Sequence, residues 1–308
     1  MKATLLAGVL SGSILSGTSL LYATLGELIG ERAGVVNLGL EGIMLIGAAV
    51  GIAATVLTGN PYIGIMAAAL AGAAANLIFA YVVVGCRANQ LAAGLSLMFF
   101  GFGVSALVGR PFVGAVIAGL PRLRIPGLDG GARAGGPGAR PLEYDILVYL
   151  AAPVAILMWW LLFRTRWGLG LRAVGESPSI AYAAGRRPER LQYQALGLGG
   201  LLGGVAGAHL SVALTLTWAE GMTAGRGFIA IALVIFAKWN PLWAIAGALL
   251  FGGAEGLQLQ LQAAGADVSP FLMNMIPYLL TLLVLVLWGW NRQAAAPAAL
   301  GRTFVGVE

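Results

Sequence analysis

The sequence predicts an all-α, polytopic integral membrane protein of about eight to ten transmembrane helices. Of its 308 residues, 59% are hydrophobic and 10% are charged. A soluble domain carries about 25% charge, so there is too little polar surface here to clothe a water-soluble particle. Mean hydropathy is +0.88, and apolar runs of about eighteen residues or more, the length a crossing helix needs, recur from end to end. Lipid admits only helices or closed barrels, and these runs lack the ten-residue alternation of barrel strands.

Spans are expected near 5–26, 35–57, 62–85, 89–109, 144–163, 192–216, 222–237, 242–262 and 271–290, in one transmembrane domain covering 1–308. Turn chemistry at Asn60-Pro61, Gly85–Arg87, Asn240-Pro241 and Ser269-Pro270 separates them. The N-terminus imitates a secretory signal in its Lys2 and apolar stretch, but no clear A-x-A site follows, so it reads as a retained first span. The run at 222–237 is short for a crossing and 35–57 is glycine-rich, which makes each a candidate for a broken or re-entrant helix.

Residues 110–143 contain GLDGGARAGGPGARP and read as an irregular extracytoplasmic loop. Residues 164–191 carry six arginines and read as a cytoplasmic loop, with 293–308 as a cytoplasmic tail. Nine spans in that orientation put eleven cations inside and seven outside, the sense the positive-inside rule prefers. Sixteen of the eighteen cations are arginines, mostly in loops, so the pI of 9.8 implies no nucleic-acid partner. Cys86 is the single cysteine, which excludes an internal disulfide and a cysteine-based metal site.

Within the arginine-rich loop, Ser177 and Pro178 read as N-cap and first residue of a short helix over 179–184, and Gly185 as its stop. Elsewhere, AGVVNLGLEGIMLIGA (33–48) is echoed faintly by AGRGFIAIALVIFA (224–237). With nine spans the two run in opposite directions, which suggests an inverted repeat with a substrate path near its midplane interface.

Polar residues inside apolar runs are the pathway candidates, because such groups are costly in lipid and face the bundle interior or water. Asn37 and Glu41 fall one helical turn apart and read as a structural latch or a lining pair. Glu220 and Arg226 flank the break EGMTAGRG, as vestibule residues or as an ordinary salt bridge. Phe228 lies just beyond them. Glu255, Gln258 and Gln262 share a helix face, Asn89 and Gln90 begin a span, and His209, the one histidine, reads as a packing residue. The sequence holds no G-x-x-x-x-G-K-[ST], no H-E-x-x-H and no G-x-S-x-G, so neither a resident ATPase nor an intramembrane enzyme is expected.

GERAGVVNLGLEGIMLIGA (30–48), RTRWGLGLRAVGESPSIAYAAG (164–185) and GRGFIAIALVIFAKWNPLWAIAGALLFGGAEGL (225–257) resemble the inner-membrane permeases of bacterial ABC importers, in the branched-chain amino acid, simple-sugar and nucleoside group. The resemblance implies a translocation subunit without cofactor, in a multi-pass inner-membrane complex. Its implied partners are an ATP-binding cassette ATPase, a second permease subunit, an extracytoplasmic binding protein or lipoprotein, and the lipid bilayer. It also implies that Glu176, Ser177, Pro178, Ala181, Ala183, Ala184, Gly185 and Arg186 form the helix through which the ATPase drives alternating access. A nucleoside is the expected solute and a ribose-type sugar the alternative. A self-contained secondary transporter is the remaining reading.

Overall fold

The computed structural model describes residues 2–123, 143–263 and 296–302, with positions 275, 276, 279, 282, 283 and 286. The described residues are almost wholly helical. In chain order the helices are α1 (Lys2–Arg32), α2 (Leu40–Thr58), α3 (Pro61–Ala80), α4 (Gln90–Gly109), α5 (Ile146–Arg164), α6 (Arg166–Glu176), α7 (Pro178–Ala183), α8 (Pro188–Ala208), α9 (Arg226–Phe236) and α10 (Pro241–Ala263). α3 and α8 each continue into a π-helical turn, Tyr81–Gly85 and His209–Leu214. Among the described residues seven helical stretches are long and apolar enough to cross a membrane, and Arg226–Phe236 is a shorter apolar helix. Most of the ninth expected span, 271–290, lies outside the described residues, as does the Ser269-Pro270 turn.

α2 and α8 form the interior, and α1, α3 and α4 pack on them through backbones brought close by small residues, the packing mode of helices in lipid. A Cβ added to Gly207 would collide with the Met44 carbonyl on α2, and one added to Gly204 with the Ala68 carbonyl on α3. The glycine-rich stretch ALGLGGLLGGVAGA (195–208) is therefore the surface on which α8 seats two neighbours at once. Outward faces of α3, α4 and α5 keep large apolar side chains such as Met66, Leu107 and Leu157 exposed, as a bilayer requires.

Two expectations change. The arginine-rich segment 164–191, expected to be a loop with one short helix, also holds a second helix, α6, and the first residues of α8. Thr165 caps α6 by accepting the Gly168 amide, and Leu171 and Val174, three residues apart, bury one face of it. Asn37 and Glu41 are not a turn apart on one helix, because α2 begins only at Leu40. The Asn37 side chain accepts the Gly39 amide at 2.7 Å, a local bond that competes with helix formation.

One end of the bundle gathers the C-terminus of α1, α6, α7, the start of α8, the end of α9 and residues 296–302. Its links include Arg32 Nε donating to the Trp239 carbonyl, Gln192 donating to the Ala33 carbonyl, and the Ala299 amide donating to the Gly175 carbonyl. Arg32, Arg164, Arg166, Arg172, Arg186, Arg187 and Arg190 belong to this basic end. At the opposite end Leu123 pairs with Tyr144, and Asp145 caps α5 by accepting the Leu147 and Val148 amides. Burial pushes the Asp145 carboxyl up, but His209, 3.8 Å away, and those amides outweigh it and hold the group below the usual carboxylate range.

Candidate functional site

The chain breaks its helices inside the bundle twice, at 33–39 and at 215–225. Irregular backbone at membrane depth must find partners in the protein or in a water-filled space. At the first break α1 closes on Gly34 (φ +86), with Val35 N donating to the Gly30 carbonyl and Gly34 N to the Glu31 carbonyl. Side chains satisfy the next two amides. Gln90 accepts the Val36 amide at 2.9 Å, Glu27 accepts the Asn37 amide at 2.7 Å, and Asn37 donates to Asn76, which donates to the Leu196 carbonyl. Asn37, Asn76, Glu27 and Gln90 are all buried. Asn37 is thus the centre of a hydrogen-bonded splint across α1, α3 and α8.

The second break leads into α9, which at eleven residues is about 16 Å long and half a crossing. Ala224 (φ +48) and Gly225 (φ +84) turn the chain into it, and Lys238 (φ +51) and Trp239 (φ +54) turn it out again. Both ends are clamped. Glu41 on α2 accepts the Gly225 amide (2.8 Å), the Gly227 amide (2.6 Å) and the Thr223 hydroxyl (2.6 Å). A carboxylate on the free amides of a helix start is the favourable pairing of charge and helix dipole. At the far end Glu31 accepts Trp239 Nε1 at 2.6 Å, and Arg32 donates to the Lys238 and Trp239 carbonyls. Sequence reasoning did not single out Glu27 and Glu31. Their four-residue spacing just past the expected first span, in the last turns of α1, was the available signal.

The salt bridge between Arg226 and Glu220, one of the two readings of that pair, does not form. Arg226 binds Glu255 of α10 through Nη2 at 2.7 Å and Nε at 3.3 Å. The reason is that Arg226 opens α9 alongside α10 and does not lie in a surface loop. Glu220 is exposed on the descending segment. Gln258 is half-buried and Gln262 exposed along α10, and Glu255 of the same stripe is engaged in the ion pair. Phe228 and Ile235, 40% and 42% exposed, mark the uncovered face of α9. Asn89 is exposed and caps α4 by accepting the Ala92 amide. His209 is fully buried beside Asp145, as a packing residue.

At the basic end α7 has the predicted form. Ser177 accepts the Ile180 amide, Pro178 is the first residue, and Gly185 (φ +77) ends it, with Gly185 N donating to the Tyr182 carbonyl and Arg186 N to the Ala181 carbonyl. Ala181 is its one buried side chain, whereas Ile180, Tyr182, Ala183 and Ala184 are exposed. Glu176 ends α6 and accepts the Ala298 amide. Arg186 is half-buried.

A membrane bundle with an internal half-helix and a capped helix protruding from its basic end matches a family described as branched-chain amino acid transport system / permease component, over residues 9–285. The chain belongs to this family. A putative glucose ABC transporter permease protein of Haloferax volcanii is 36% identical, with 97% of each chain covered. A guanosine ABC transporter permease protein of Bacillus subtilis is 31% identical over 98% of this chain and 97% of its own. A nucleoside ABC transporter permease protein of Lactococcus lactis is 33% identical, with 96% of each covered. No solved structure matches. The protein is an ABC transporter permease, a kind of translocation component that implies an ATPase and a binding protein as partners.

Proposed function

We propose that this permease forms half of the inner-membrane channel of an importer for a neutral, hydroxyl-rich solute, a nucleoside in the first instance. The observation that carries the choice of solute is the occupation of the α9 start by Glu41. In an open half-helix that positive pole would be the natural seat for a substrate carboxylate. Here it is filled from within, and the neighbouring Arg226 is neutralised by Glu255. A solute that brings its own charge finds no vacant counter-pole there. This argues against an amino acid despite the family's description, and for the guanosine, nucleoside and glucose classes that the relatives' names give. The sugar reading stands second, on the 36% identity of the glucose relative.

The uncovered face of α9, with Phe228 and Ile235 below Glu220, is read as facing the path or the second permease subunit, since a half-helix with an irregular lead does not face lipid. The arginine-rich end is read as cytoplasmic, which puts the N-terminus outside. There the exposed Ile180, Tyr182 and Ala183 of α7, with Ala184 just after it, fit a cleft in the ATPase. Glu176, Ser177, Pro178, Ala181, Gly185 and Arg186 build and seat that helix.

The test is ATP-dependent uptake by the complete complex in proteoliposomes. Guanosine or adenosine uptake is expected, with no competition from leucine. Leucine uptake would overturn the neutral-solute reading, and glucose uptake alone would select the sugar alternative.

A further inference from the structure

Residues 296–302 are well apart in sequence from the helices they touch. The Ala299 amide donates to the Gly175 carbonyl at 2.9 Å, and the Ala298 amide to Glu176 at 3.3 Å. Both acceptors lie in the last turn of α6, immediately before α7. Two residues beyond Leu300, the Arg302 carbonyl accepts from Gln90 Nε2 at 3.1 Å. The same Gln90 holds the broken segment, accepting the Val36 amide at 2.9 Å and reaching the Gly34 carbonyl at 3.4 Å. Leu300 packs on the main hydrophobic core, and Ala299 is 8% exposed. Its Cβ lies 3.6 Å from the position a Cβ on Gly34 would take. Gly175 and Gly34 also meet directly, since a Cβ on Gly34 would lie 3.5 Å from the Gly175 Cα.

We propose that residues 296–302 are a clasp that joins the α6–α7 hinge to the broken segment 33–37, so that the two move as one body, with Ala299 as its positioning residue. The proposal rests on the reading of α7 as the ATPase contact. Among the described residues, α7 otherwise meets the bundle through the buried Ala181, its neighbours α6 and α8, and the tight Gly175 contact. With it, displacement of α7 carries to Gln90 and the 34–36 backbone. From there it passes along the Asn37 segment to α2, whose Glu41 holds the start of the half-helix. A backbone-made clasp of small residues is short and stiff, which suits transmission of a small movement. A small side chain suits 299, which is buried and lies against Gly34.

The experiment uses the full complex with its ATPase and binding protein in proteoliposomes, reading solute moved and ATP hydrolysed separately. Ala299→Ser is expected to behave as the parent. Ala299→Trp, which must unseat the clasp, is expected to lower solute moved per ATP at least fivefold while ATP hydrolysis continues and the complex still purifies intact. A second arm places Gly34→Cys and Ala299→Cys in a Cys86→Ser background. The Cβ separation suits a disulfide, and if the two segments travel together, the oxidised complex transports within about twofold of its reduced form. An unchanged transport ratio in Ala299→Trp, or transport lost on oxidation and restored by reductant, overturns the clasp. Ala183→Asp, run in parallel, separates the two readings. If it transports normally, the ATPase contact at α7 fails; if it alone is defective, only the clasp fails.

Discussion

Glu41 and Gly227 are 186 positions apart in the chain, yet the Glu41 carboxylate accepts the Gly227 amide at 2.6 Å. That bond joins the first helix after one break to the first turn after the other. It also joins the two stretches whose sequences echo each other, and both stretches open on a left-handed glycine, Gly34 and Gly225.

Removing the carboxylate should therefore loosen α9. In Glu41→Ala two amides and one hydroxyl lose a buried acceptor, and hydrogen bonds to charged groups contribute about 1.5–3 kcal/mol each. A stability loss of about 3 kcal/mol or more is expected, together with loss of uptake. Glu41→Gln keeps the volume but turns an NH2 toward a donor, and should recover little. Thermal unfolding in detergent, alongside transport, checks both, and an Ala variant as stable as the parent would refute the latch.

The pair Arg226–Glu255 is about one-fifth exposed on each side, so its coupling should fall between surface and buried values, about 1–3 kcal/mol. A double-mutant cycle with Arg226→Gln and Glu255→Gln measures it. Each single change should be worse than the double. Additive effects would mean that the two side chains act separately.

Glycine substitutions should split by backbone contact. Gly207→Leu and Gly204→Leu drive side chains into the Met44 and Ala68 carbonyls and should abolish assembly. At Gly103, on the outer face of α4, an added Cβ meets nothing within 4 Å. Gly103→Ala should be neutral or stabilising by up to about 1 kcal/mol. Yield of folded protein in detergent reads both.

Ala183→Asp adds a charge to the exposed tip of α7, away from the bundle core. ATP turnover by the complex should separate from solute uptake, with uptake falling at least tenfold and membrane insertion unchanged. Normal coupling in this variant would remove α7 from the drive.

Asp145 predicts an acid limit. Its carboxyl lies below the usual range in the folded protein, so its stabilisation is present above about pH 4 and is lost as pH falls through the lowered value. Asp145→Asn keeps the cap but removes this titration. Unfolding tracked from about pH 7 to pH 3 should show a shallower acid decline in the variant.

Capping and span length are local physics, and they were legible. Ser177, Pro178 and Gly185 specify α7 within nine residues, and Asn60-Pro61 and Asn89 start α3 and α4 where the punctuation indicated. α6 was not legible, because its arginines and glycines mask a Thr165 cap and a short buried face. The charged pairs were not legible. Glu255 stood out by its Gln neighbours along α10, whereas its partner Arg226 comes from a helix start 29 positions away.

From the sequence alone came the membrane class, seven of the nine expected spans, the basic end and the capped helix, because burial in lipid and helix termini are governed by residues within a turn or two of each other. The tertiary structure alone decided that Glu41 fills the start of α9, that Asn37 splints a break, and that the C-terminal residues grip α6. Each of those depends on which backbone amide or carbonyl is left without a helical partner, and on what distant side chain packing brings within 3 Å of it.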